Sequence, residues 1–183
     1  NLSAGNYDVT ITDVNNCTTT VTVTITQPSA SLSASVTGTN ITCFGASNGT
    51  ADLTVSGGTA PYTYAWSNSS TTEDLSNIAD GNYNVTITDA NNCTTTATVT
   101  ITQPSAALSA SINGTNVLCF GNTTGAADLT VSGGTAPYTY AWSNSSTNED
   151  LSNLSAGNYD VTITDANNCT STATVTITQP SAA

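Results

Sequence analysis

The sequence contains no lysine, arginine, histidine or methionine, and these absences exclude whole classes of function before any motif is weighed. Binding to nucleic acid requires cations that displace the counterions of phosphate, whereas this chain carries 12 carboxylates and a formal charge of −12. A hydrolytic triad needs a basic partner for its nucleophile, and the sequence offers none. The adjacent acids Glu73-Asp74 and Glu149-Asp150 are strand neighbours that point to opposite faces, so they do not form a pair across a cleft. The chain therefore reads as non-enzymatic. Lysine–asparagine isopeptide braces are excluded with the lysines. Long apolar runs are also lacking, and nothing approaches the roughly 20 residues of a membrane-spanning helix. Only 7% of residues are charged. Thr, Ser, Asn, Ala and Gly take the vacated places, a composition that favours strands and turns over helices.

What is present is a repeat of period 76. Cys17, Cys93 and Cys169 follow it, as do Cys43 and Cys119, Trp66 and Trp142, and Pro28, Pro104 and Pro180. Between residues 29–104 and 105–180 only 15 of 76 positions differ, and apolar changes such as Val36 to Ile112 keep volume and pattern. The organisation expected is a partial copy at 1–28, matching 77–104, then complete copies at 29–104 and 105–183. Because the pattern starts mid-unit, the reading expects a longer natural chain.

Alternation supplies the secondary structure. Tyr83, Val85 and Ile87 alternate with polar residues, Asp89-Ala90-Asn91-Asn92 makes a turn, and Ala97, Val99 and Ile101 alternate again, which predicts a hairpin. Upstream, Ala51, Leu53 and Val55 precede the turn Gly57–Pro61, and Tyr62, Tyr64 and Trp66 follow it. With Leu32–Val36, Ile41–Phe44 and Thr71–Asn77 as further candidates, each copy reads as about seven short strands, an immunoglobulin-like β-sandwich. The expected fold is all-β, an extended array of tandem sandwiches. Trp66 and Trp142 are predicted core residues, and Tyr83 and Tyr159 are predicted to sit at a corner where the hydroxyl bonds back to the backbone.

Five cysteines without histidine or a CxxC spacing argue against zinc and for an oxidising compartment. The simplest pairing lies within copies, Cys43–Cys93 and Cys119–Cys169, leaving the partner of Cys17 outside the chain. Each such bridge would stabilise its copy by about 3 to 4 kcal/mol. An immunoglobulin topology sets those loops at opposite ends, so bridges across the linkers, Cys17–Cys43 and Cys93–Cys119, remain an alternative.

The segments Cys43-Phe44-Gly45, Ser56–Asn68 (SGGTAPYTYAWSN), Gly81-Asn82-Tyr83 and Thr88–Cys93 (TDANNC), repeated from Cys119 to Cys169, resemble the SprB repeat. The resemblance implies a large extracellular, cell-surface adhesin of gliding bacteria, exported by type IX secretion and moved by the gliding motor. A stalk in which neighbouring repeats of one chain are the main partners suits near-identical domains joined by a short Gln-Pro-Ser-Ala linker. Three other expectations concern ligands and assembly. Tyr62, Tyr64 and Trp66 are a candidate platform for surface polysaccharide. Asp13, Asp89 and Asp165, which recur in one turn, are candidate Ca²⁺ ligands. Thr-rich edges without lysine leave lateral self-association into a filament open.

Overall fold

The computed structural model describes residues 1–182, and their regular secondary structure consists of strands alone. The second copy shows the plan. Its strands are β9 (Ser109–Thr115), β10 (Gly125–Ser132), β11 (Thr139–Trp142), β12 (Leu151–Leu154), β13 (Gly157–Thr164) and β14 (Thr170–Ile177). One sheet has the order β12-β10-β9 and the other β11-β13-β14. The first, second and fourth strands of the copy thus form one sheet, and the third, fifth and sixth form the other. That is the strand distribution of an immunoglobulin-like sandwich with one edge strand missing.

The first copy has the same plan. Its strands are β3 (Ser33–Thr39), β4 (Gly49–Ser56), β5 (Thr63–Trp66), β6 (Leu75–Ile78), β7 (Gly81–Thr88) and β8 (Thr94–Ile101), in sheets β3-β4-β6 and β5-β7-β8. Each begins 76 residues before its counterpart, as 109 − 33 shows for β3 and β9. Residues 1–28 supply the hairpin β1 (Gly5–Thr12) and β2 (Thr18–Ile25). By contacts along the backbone the chain divides into two compact units. Residues 1–37, 52–73 and 83–98 form one, and residues 38–51, 74–82 and those from Val99 onward form the other.

Alternation decides what is buried. In β13, Val161 and Ile163 face inward and are 1% and 0% exposed, while Asp160 and Thr162 face solvent. With Leu129, Trp142, Leu151, Leu154, Val117 and Ile177 they form one core drawn from both sheets. Val9 and Ile11 occupy the equivalent places in β1, yet each is 56% exposed, because β1 pairs with β2 in a two-stranded sheet of its own.

Among the described residues each copy has six strands rather than about seven. Ile41–Phe44 is loop, because Ile41 is buried and spends its N–H on the carbonyl of Thr102 (2.9 Å), after which Ala46 N–H closes a turn on Cys43 O (3.0 Å). The strand expected over Thr71–Asn77 is confined to β6.

Candidate functional site: a disulfide between two copies

The predicted core residues are placed as follows. Trp66 and Trp142 are each 4% exposed, and their indole N–H groups donate to Thr72 O (2.9 Å) and Asn148 O (2.8 Å). Tyr83 and Tyr159 are half-buried. The Tyr159 hydroxyl donates to Ser155 O at 3.1 Å, and Tyr7 donates to Ser3 O at 2.9 Å, so the corner geometry forms in both. Tyr138 and Tyr140 pack against the core, and Tyr138 and Tyr62 donate to Gly133 O and Gly57 O, each at 2.7 Å. Tyr62, Tyr64, Tyr138 and Tyr140 are all half-buried.

Glu149 and Asp150 are engaged separately. Asp150 Oδ1 accepts the N–H of Leu129 (2.9 Å), whereas Glu149 lies against Tyr140, whose phenol is pushed up first by burial and then by that carboxylate.

The turn aspartates act on their own backbone. Asp165 Oδ1 accepts the N–H groups of Asn167 (2.8 Å) and Cys169 (2.9 Å), and Oδ2 accepts that of Thr135 (2.9 Å). Asp89 repeats the set with Asn91 and Cys93, both at 2.9 Å, and Thr59 at 3.0 Å. Burial alone raises these carboxyls, but the N–H groups outweigh it and hold both below the usual carboxylate range. In Asp13 the bonds to Asn15 and Cys17, both 2.8 Å, recur on an exposed turn. The groups converging on each carboxylate are N–H donors, which a hard cation cannot use as ligands, so the donor set does not fit Ca²⁺. Among the described residues no cluster of three or more acids or thiols is arranged to hold a metal.

The cysteines depart from expectation. Cys43, in the loop after β3, is bonded to Cys169, in the turn between β13 and β14, with Cα atoms 5.7 Å apart; Cys17, Cys93 and Cys119 are free and exposed. Neither Cys43–Cys93 nor Cys119–Cys169 forms, and the bridges Cys17–Cys43 and Cys93–Cys119 do not form either. The reason is visible within the second copy. The loop carrying Cys119 is tied to the far end of β14, where Val117 N–H donates to Thr178 O (2.9 Å) and Gly121 N–H to Gln179 Oε1 (2.9 Å). Cys169 immediately precedes the near end of β14. An eight-residue strand spans about 26 Å, far beyond the roughly 7 Å that a disulfide tolerates between Cα atoms.

Several groups seat the bond. Asn48 Nδ2 donates to Thr42 Oγ1 (2.8 Å) and Gln103 Oε1 accepts the N–H of Gly45 (2.6 Å), which fixes the loop. Asn167 Nδ2 donates across the junction to Thr42 O (3.0 Å) and within its own copy to Thr135 Oγ1 (3.1 Å). Beside the bond, Phe44, Ala107, Leu108 and Thr170 line a hollow of about 360 Å³. Reading by spacing misses Asn167 and Gln103. For Gln103 the signal was available, since Gln27, Gln103 and Gln179 keep the period.

Among solved structures, the N-terminal eight Ig domains of Down syndrome cell adhesion molecule are 11% identical (TM-score 0.39), covering 95% of this chain and 26% of that one. The amphioxus IgVJ-C2 molecule is 12% identical (TM-score 0.33), covering 67% and 91%. A 282-residue C-terminal fragment of intimin, solved with the intimin-binding domain of its translocated receptor, is 14% identical (TM-score 0.34), covering 94% and 57%. All three scores are below 0.5, so the sandwich assignment rests on the strand order. No curated protein matches the chain. The SprB repeat model matches at residues 31–71 and 111–147, one segment in each complete copy, and each matched segment contains the loop cysteine and the tryptophan of its copy, Cys43 with Trp66 and Cys119 with Trp142.

Proposed function

We infer that this chain is a structural stretch of an extracellular, cell-surface adhesin, a stalk that holds a binding end away from the cell and transmits force. The observation that supports this most is the Cys43–Cys169 bond, which fastens one copy to the next instead of bracing a single domain. A disulfide persists in an oxidising compartment, which favours a position outside the cell. The matches to the SprB repeat in both complete copies favour surface adhesion and, more narrowly, gliding motility. A carbohydrate-binding role for each copy is less favoured, because Tyr138 and Tyr140 pack on the core.

The test is to remove whole 76-residue copies from the native surface protein. A stalk loses length in proportion while recognition of the substratum is kept. Loss of recognition on deleting any one copy, at unchanged surface level, would assign binding to the repeats and overturn the reading.

A further inference from the structure

The bond between Cys43 and Cys169 joins a loop cysteine of one copy to a turn cysteine of the next. Two of the free cysteines are equivalents of these by the same period. Cys119 is the loop cysteine 76 residues after Cys43, and Cys93 is the turn cysteine 76 residues before Cys169. Bonding changes their surroundings. Cys43 and Cys169 are half-buried, whereas Cys93 and Cys119 are exposed. Around Cys119 the loop presents Leu118 and Phe120, 76% and 58% exposed, an apolar pair next to a thiol.

The receiving side is present as well. Beside Cys93, a hollow of about 400 Å³ is lined by Ser31, Leu32, Gly58, Asp89 and Thr94. Ser31, Leu32, Cys93 and Thr94 correspond to Ala107, Leu108, Cys169 and Thr170, which line the hollow that Cys43 and Phe44 adjoin in the second copy. Asn91, the equivalent of Asn167, keeps its bond to Thr59 Oγ1 (2.9 Å). It thus stands where Asn167 reaches a loop carbonyl.

We propose that the hollow beside Cys93 is a docking site for the Cys-Phe-Gly loop of another copy of this repeat, and that Cys119 with Phe120 is the matching plug, so that every copy is disulfide-bonded to the next. The inference deepens the stalk reading and rests on it. The chemistry is thiol–disulfide exchange with a low-molecular-weight disulfide. The thiolate of one cysteine attacks oxidised glutathione and expels one glutathione thiolate, and the partner thiolate then displaces the second. Two protein thiols and one glutathione disulfide become one protein disulfide and two glutathione thiols.

The experiment extends the full chain at Pro180 by one further copy of residues 105–180, refolds it with oxidised and reduced glutathione, alkylates free thiols and maps the peptides by mass. The expected result is Cys43 still bonded to Cys169, Cys119 bonded to the turn cysteine of the added copy, and the loop cysteine of that copy alkylated. Cys119 recovered alkylated, or bonded to Cys169, overturns the proposal, as does a bridge within the added copy. Phe120→Ala should lower the yield of the new bond severalfold while the Cys43–Cys169 yield stays constant; equal yields would show that the hollow takes no part. Imaging the same extended chain separates the two readings. A longer single file with Cys119 alkylated keeps the stalk and removes the cross-bonding.

Discussion

Asp165 accepts three backbone N–H groups from two segments, the turn before β14 and Thr135, so one carboxylate holds two loops together. Its carboxyl lies below the usual range when folded. A group with a depressed folded value contributes stability that is complete above its unfolded value, near pH 4, and is lost as pH falls through the folded value. Melting temperature should therefore decline below about pH 4, and the Asp89→Asn, Asp165→Asn double variant should show a shallower decline and melt several degrees lower at pH 7. Parallel curves for the two proteins would exclude these carboxylates as the source. At Trp142 the effect is packing. The side chain is 4% exposed in a core shared by both sheets, so Trp142→Ala should cost about 3 to 5 kcal/mol in a denaturant titration.

At the scale of the element, the turn between β10 and β11 is constrained by Gly133. Its φ is +70°, and a Cβ there would land on the carbonyl oxygen of Ala107. Gly133→Ala should destabilise the second copy by about 1 to 3 kcal/mol, whereas alanine at exposed Gly121, where nothing lies within 4 Å, should cost less despite a φ of +78°. Equal losses would show that the left-handed backbone, and not the approach of Ala107, sets the cost. The hairpins were legible because alternation and an Asp-Ala-Asn-Asn turn coincide, as in β7 and β8. Ile41–Phe44 was not legible. Its apolar residues suggest a strand, but Ile41 serves as a plug whose hydrogen bond goes to a single carbonyl beyond β8. Cysteine pairing was less legible still. Spacing reports distance along the chain; the sandwich topology already set the two loops of a copy at opposite ends, but nothing in the spacing says that Cys43 meets the turn cysteine of the next copy.

For the whole molecule, the bond closes a loop with a sequence separation of 126 residues, which the chain-entropy model values at about 5 kcal/mol. Pulled by its ends, the oxidised chain should never extend residues 44–168. Adding a reductant should lengthen the fully stretched chain by roughly 420 to 450 Å, at about 3.3 to 3.6 Å per residue. Force spectroscopy that finds the same length with and without reductant would show that the bond does not form in solution. The closed loop also gives the chain two covalent routes between Cys43 and Cys169, one through the backbone and one through sulfur. A protease that cuts once anywhere between them leaves both fragments attached, so the chain keeps its continuity after a nick and is severed only when the cut coincides with reduction.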